Sequence, residues 1–247
     1  MPAGGEIDWV VISLKRTPER LEQFYANNAH QKLKVEMLEA VDGLQLDPQE
    51  LVRDGLIAED LTWTPGALGA ALSHRICWQR AVESNRPLAV LEDDVFLRSD
   101  FAAVAAETLQ GLPEDWDIIH FGFNTDSTLE VEVVPGCLVY GHFGRWYPTS
   151  LEGQRFVNSS GAIAAMRLIT GYGTCAYAVS PRGAQKLLDK CFPLSWTLHP
   201  IRAFHMVLRG ETGDCVMNCH YQDMSSFVCV PPIALALNDK ATSTVGA

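Results

Sequence analysis

Three carboxylates stand in a row at Glu92, Asp93 and Asp94, directly after the apolar run Leu88-Ala89-Val90-Leu91. A short apolar run of this kind reads as a buried central strand. The carboxyl end of such a strand is where open α/β sheets bind ligands. Adjacent anions repel one another, and a divalent cation among them removes that cost. Oxygen-only donors suit Mg²⁺ or Mn²⁺ rather than zinc, and an ion held there could bridge to a diphosphate. A solvated acidic loop is the plainer alternative. A receiver domain also ends a strand in an acidic site, but that fold is much smaller and carries its acidic pair near the amino terminus. The chain has no Asp-x-Asp-Gly-Thr run, no phosphate-binding Gly-x-x-x-x-Gly-Lys-Ser/Thr loop, no Gly-x-Gly-x-x-Gly after its first strand and no Gly-x-Ser-x-Gly elbow. Cys215-x3-Cys219-His220 is too sparse for a structural zinc site, which usually shows two tighter pairs.

The elements that must position these acids can be read from pattern. Ile7–Leu14 is a β-branched apolar run and Val35–Val41 a second strand closed by the turn pair Asp42-Gly43, with a Pro18-initiated helix between them. That strand–helix–strand opening is how a parallel α/β sheet begins. Asp47–Ala58 reads as a short helix. Leu68, Leu72 and Ile76 recur every four residues, so Gly66–Glu83 reads as an amphipathic helix leading towards the acidic run. Ser99 should cap a helix over Asp100–Leu109. Asp117–Phe123, Val131–Tyr140, Thr174–Ser180 and Ser226–Val230 read as further strands, with helices over Arg182–Lys190 and Pro200–Leu208. Gly141–Gly161 reads as a long loop. The polar tail 238–247 is expected to be loose. The whole is expected to form one α/β domain, a mostly parallel central sheet flanked by helices.

The 247 residues carry 19 Lys and Arg against 30 Asp and Glu, a net charge of −11, which disfavours sequence-independent nucleic-acid binding. The imbalance lies in residues 1–124, with ten basic and 21 acidic side chains; residues 125–247 balance at nine and nine. Within the second half, 142–209 holds eight basic residues (Arg145, Arg155, Arg167, Arg182, Lys186, Lys190, Arg202, Arg209) against Glu152 and Asp189. An acidic half beside a basic segment suits a metal-assisted site facing an anionic ligand. The odd, scattered cysteines and an opening without a signal pattern point to reduced thiols and a cytoplasmic location. The most apolar stretch, Gly161–Val179, is broken by Arg167, Gly171 and Gly173, so no membrane span is expected; the basic segment could still give peripheral contact at the inner face of a membrane.

An ordered series of segments carries a resemblance: VISLKRTPER (Val11–Arg20), AVDG (Ala40–Gly43), GALGAALSHRICWQRAVE (Gly66–Glu83), LAVLEDDVFL (Leu88–Leu97), DIIHFG (Asp117–Gly122), GTCAYAVSPRGAQKLLD (Gly173–Asp189) and VPPIALALNDKATST (Val230–Thr244). Together they resemble glycosyltransferase family 25, which includes bacterial lipooligosaccharide galactosyltransferases and collagen galactosyltransferases. The resemblance implies a GT-A-like fold, a UDP-sugar donor and inversion at the sugar carbon. It makes 1–124 the nucleotide-sugar half and 125–237 the acceptor side. It makes Glu-Asp-Asp the metal motif, with Asp94 and Glu92 on Mn²⁺ or Mg²⁺ and with Glu92 and Asp93 reaching the metal or the donor. Ser13, Leu14, Arg20, Asp42, Gly43, Ser73 and His74 would line the donor. Arg20 could meet a phosphate or pair with an acid. Tyr177, Gly183 and Ala184 match a later motif, as packing and acceptor-side wall. The chain departs from the family at Pro200-Ile201-Arg202, where Pro-x-Asp is frequent.

The expected activity is transfer of galactose or glucose to a glycan such as lipooligosaccharide or to a glycosylated peptide; the basic segment 142–209 would suit a phosphorylated, acidic or lipid-linked glycan. An inverting transfer needs a base on the acceptor hydroxyl; Asp126, Asp214, Asp223 and His205 are the candidates. Two other readings use the same residues: an inactive nucleotide-sugar or glycan-binding module, and a metal-dependent phosphohydrolase.

Overall fold

The computed structural model describes residues 7–143, 148–201 and 205–237. Arg145, Arg202 and the tail 238–247 lie outside them, so the expectations placed on those residues do too. The centre is a nine-stranded sheet. Its strands, in spatial order, are β2 (Val35–Glu39), β1 (Asp8–Ser13), β3 (Leu88–Glu92), β9 (Ala176–Val179), β5 (Ile118–His120), β12 (Ser226–Val230), β8 (Ala164–Thr170), β6 (Thr128–Val134) and β7 (Cys137–His142). β1 pairs in parallel with β2 and β3, and β5 in parallel with β12; the other pairings are antiparallel. The α/β expectation holds, but the sheet is mixed rather than mostly parallel. The parallel block belongs to the amino-terminal strand–helix–strand units. β9 enters between β3 and β5 from the far side of the chain and reverses the direction.

The central strands separate two cores by their period-two alternation. Val10, Leu88, Val90, Ile118, Tyr177 and Val179 face one core, while Trp9, Val11, Ala89, Leu91, Ile119 and Ala178 face the other. The first is covered by α3 (Pro65–Ser84), α6 (Pro181–Cys191) and α7 (Gly213–Asn218), the second by α1 (Pro18–Asn27) and α4 (Phe101–Gly111). α2 (Pro48–Arg53) is shorter than the expected Asp47–Ala58. α3 starts at Pro65 because the Thr64 hydroxyl accepts the Ala67 N–H at 3.2 Å, and it stops at Asn85, a left-handed residue. Its buried stripe runs through Ala67, Ala71, His74, Trp78 and Ala81, leaving Ile76 exposed. A strict four-residue spacing drifts off a 3.6-residue face, so Leu68–Leu72–Ile76 was not the full seam.

Three other expectations are corrected. The segment 141–161 holds α5 (Ser150–Val157), started by a reciprocal capping box between Thr149 and Glu152. The helix over Asp100–Leu109 begins after Asp100 rather than Ser99, with no side-chain cap. The described residues of the expected helix Pro200–Leu208 are strand instead: β10 (Thr197–Ile201) and β11 (Met206–Gly210) pair antiparallel. The alternation in β10 of buried His199 and Ile201 with exposed Leu198 and Pro200 is a strand pattern. A last short pair joins β4 (Val95–Leu97) to β13 (Ala234–Ala236). No helix among the described residues is long and apolar enough to cross a membrane.

Candidate active site

The carboxyl ends of β1, β2 and β3 come level because Ile12 lies beside both Leu38 and Glu92. Beyond them opens a cleft of about 820 Å³. Ser13, Leu14, Arg20, Asp42, Gly43, Ser73, His74, Glu92, Asp93 and Asp94 all line it, so the fold gathers residues spread over some eighty positions of sequence.

The three acids have three different environments. Asp93 is buried and consumed by protein: one oxygen accepts the Ser13 hydroxyl at 2.7 Å, the other accepts the Arg20 guanidinium at 2.9 and 2.5 Å. Arg20 therefore meets an acid, the second of its two expected roles. Glu92 accepts the Thr174 hydroxyl at 2.5 Å on Oε1, and His74 Nε2 lies 3.5 Å from the same oxygen. Burial pulls the Glu92 pKa upward, but the hydrogen bond and charge of His74, with Thr174 and Arg20, outweigh it and hold the carboxyl below its ordinary value. Asp94 stands in the turn between β3 and β4, with Oδ2 3.8 Å from Arg20 and Oδ1 without a hydrogen-bond partner among the described residues. Burial, then the neighbouring charge of Glu92, push its pKa up to about 7, against the pull of Arg20.

His74 is oriented from behind. Tyr177 accepts the Trp78 indole N–H at 3.0 Å, and its hydroxyl lies 3.0 Å from His74 Nδ1. The Tyr177 hydroxyl fixes the ring, with Nε2 turned towards Glu92. Tyr177 is thus no wall of the cleft but the support of a residue that is. Gly183 and Ala184 are buried in α6. Ser73, buried, is also structural: its hydroxyl donates to the Gly69 carbonyl at 2.7 Å and accepts the Val41 N–H at 2.9 Å. Gly43 is needed where the loop after β2 crosses the start of α3. A Cβ on it would lie 1.7 Å from the Pro65 carbonyl oxygen, and one on Gly69 would lie 2.6 Å from the Val41 oxygen. This crossing presents Asp42, which caps the following 3₁₀ turn through the Leu44 N–H and pairs with Arg16 at 3.0 Å.

Of the four candidate bases, Asp214 alone lines the cleft, while Asp126, Asp223 and His205 do not. Asp223 and His205 are exposed elsewhere. Asp214 is itself well occupied: it accepts the Gly173 N–H at 2.8 Å, the Cys215 N–H at 3.0 Å and the Thr212 hydroxyl. Sequence reasoning missed Trp63, Asn124, Thr174, Trp196, Arg209 and Glu211, which also line the cleft. They come from loops and the β10–β11 pair, and no local pattern ties them to the acidic run.

Among the described residues, no three His, Cys, Asp or Glu side chains converge as a ready-made metal cage, at the acidic run or at Cys215–His220. The donor chemistry at Asp94 nevertheless fits Mn²⁺ or Mg²⁺. It offers a carboxylate oxygen with no protein partner, and Mg²⁺-type ions commonly take one or two carboxylates and complete their shell with water and substrate phosphate.

An acid-lined cleft at the carboxyl ends of parallel strands, in a mixed α/β sheet, is where such sheets bind their ligands. The chain belongs to glycosyltransferase family 25: the family model described as "Glycosyltransferase family 25 (LPS biosynthesis protein)" matches residues 7–200. It is 28% identical over 221 residues to the human "Inactive glycosyltransferase 25 family member 3", covering 77% of this chain and 32% of that protein. It is 25% identical over 214 residues to human "Procollagen galactosyltransferase 2", covering 78% and 31%. Against a "Glycosyltransferase 25 family member" of Aedes aegypti it is 31% identical over 161 residues, covering 59% and 26%. The chain thus spans about a third of the length of these relatives. The solved apo form of glycosyltransferase GlyE from Streptococcus pneumoniae superposes with a TM-score of 0.38 at 11% identity, over 90% of this chain and 45% of that one, a likeness too slight to transfer any residue.

Proposed function

We propose that the protein is a metal-dependent inverting hexosyltransferase that moves galactose or glucose from a UDP-sugar to a glycan acceptor. One observation carries this reading. Of three consecutive acids, two are committed to protein partners, and the third, Asp94, keeps a buried carboxylate oxygen unpartnered at the cleft. Mn²⁺ or Mg²⁺ held by Asp94 would supply positive charge to the departing diphosphate. The chain's own residues do the rest. Arg20 neutralises Asp93, so the run carries less repulsion than three free acids would. His74 and Thr174 hold Glu92 ionised and fix Oε1, leaving its other oxygen for a ribose or sugar hydroxyl. Glu211, exposed on the cleft wall and without an ion pair among the described residues, takes the proton of the acceptor hydroxyl. It is better suited than Asp214, whose hydrogen bonds tie α7 to the 171–174 loop.

The test is calorimetric titration of UDP with and without Mn²⁺, followed by transfer assays from UDP-galactose and UDP-glucose. Asp94→Asn should lose the Mn²⁺-dependent part of UDP binding and all transfer, with an unchanged circular dichroism spectrum. Full transfer by that variant would refute the metal assignment. Glu211→Gln should bind UDP as the parent does and lose about 100-fold or more in kcat; an unchanged kcat would remove Glu211 from the mechanism.

A second reading has support of its own. No preformed metal cage exists among the described residues, and several relatives are named inactive. On that reading the fold binds a nucleotide sugar and turns nothing over. UDP binding with neither transfer nor donor hydrolysis would favour it.

A further inference from the structure

The basic segment 142–209 does not act as one patch once folded. Arg167 is spent on the carbonyls of Met224 and Gln222, and Arg182 and Lys186 on buried Asp117. Arg155 and Lys190 do not line the cleft; Arg209 does. The cleft lining holds six carboxylates (Asp42, Glu92, Asp93, Asp94, Glu211, Asp214) and three arginines. Arg16 is paired with Asp42 and Arg20 with Asp93. Arg209, at the end of β11, has no carboxylate partner among the described residues.

Its support is aromatic instead. The guanidinium carbon lies 3.2 Å over the ring of Trp196, and Trp196 is anchored by its indole N–H to the Asp60 carbonyl at 2.9 Å. At that separation the guanidinium rests on the ring, which is not a hydrogen-bond acceptor for its in-plane N–H donors. A stacked guanidinium of this kind is a pre-organised fork for a phosphoryl or carboxylate group. An unneutralised cation in the cleft lining calls for an anionic ligand. Arg209 is not among the partners of the acidic run, which are Ser13, Arg20, His74 and Thr174.

We infer that Arg209, stacked on Trp196 in the cleft lining, forms an acceptor subsite for a glycosyl unit bearing an anionic group, phosphoryl or carboxylate. The inference rests on the proposed transferase reading and names the class of acceptor that site takes.

The test uses the full chain saturated with UDP and Mn²⁺, titrated with galactose, galactose 6-phosphate and galacturonic acid, and followed by tryptophan fluorescence and calorimetry. At least one of the two anionic sugars should bind about tenfold or more tightly than galactose, and which one does so identifies the group. Arg209→Ala should abolish that preference while keeping the parent's affinity for UDP and its thermal midpoint. Arg209→Lys, which keeps the charge and loses the fork, should keep only part of it. Equal affinity for all three sugars, or a preference that survives in Arg209→Ala, would overturn the subsite. So would a tenfold loss of UDP affinity in Arg209→Ala, which would hand the arginine to the donor. Failure of the parent protein to bind UDP at all would instead strike the transferase reading, so the two failures are separable.

Discussion

At the scale of single residues, three adjacent carboxylates are differentiated by what each one touches. Asp93 is a structural ion paired with Arg20, Glu92 is an oriented anion, and Asp94 is the one left for a ligand. The orientation of Glu92 depends on a buried hydroxyl that never reaches the cleft. Replacing Tyr177 by Phe removes the acceptor of Trp78 Nε1 and the hydrogen-bond partner of His74 Nδ1. Leaving such groups unsatisfied costs about 1–3 kcal/mol. A urea melt of Tyr177→Phe should show a lower midpoint at an unchanged slope, and the variant should bind UDP more weakly. Parent-like values of both would mean that the Tyr177–His74 contact contributes nothing.

At the scale of elements, the site depends on how closely the loop after β2 approaches the start of α3. Gly43 and Gly69 meet there without side chains, and Asp42 is presented by that crossing. Gly43→Ala would force a methyl into the Pro65 carbonyl, a backbone obstacle that cannot rotate away. Overpacking of this kind costs about 1–3 kcal/mol. The variant should lower the denaturation midpoint and weaken UDP binding together, because the displaced loop carries Asp42 with it. A stable variant with intact UDP affinity would show that the crossing yields more readily than its contacts imply.

At the scale of the whole molecule, one buried imidazole links stability to pH. His120 lies between Tyr177 and Tyr221, with Nε2 unpartnered. Burial, then the charge of His74, lower its pKa from 6.5 to about 3. The unfolded chain therefore takes up a proton near pH 6.5 that the folded chain refuses until about pH 3. The stability tied to this group is complete above about pH 6.5 and is lost as the pH falls from there towards 3. Urea midpoints measured from pH 7 down to pH 4 should fall less steeply for His120→Phe, which keeps a ring and drops the titration. Identical slopes for the two proteins would assign the acid sensitivity to other groups.

Much of this was written in local pattern. LAVL followed by Glu-Asp-Asp announced a strand end with charge at its tip, because burial on both faces demands continuous apolar residues. The turn at Asp42-Gly43, the helix over Gly66–Glu83 and the motif residues of the donor side came from the same short-range rules, as did family membership from their ordered series. Tertiary structure alone decided which acid is free, because Arg20 reaches Asp93 from 73 residues away and Thr174 reaches Glu92 from 82. It alone paired β10 with β11, where cross-strand pairing overrode the helical reading, and alone set Arg209 over Trp196. Spacing along the chain encodes faces and ends of elements. Which of those faces meet, and which charges they cancel, is settled only by long-range packing.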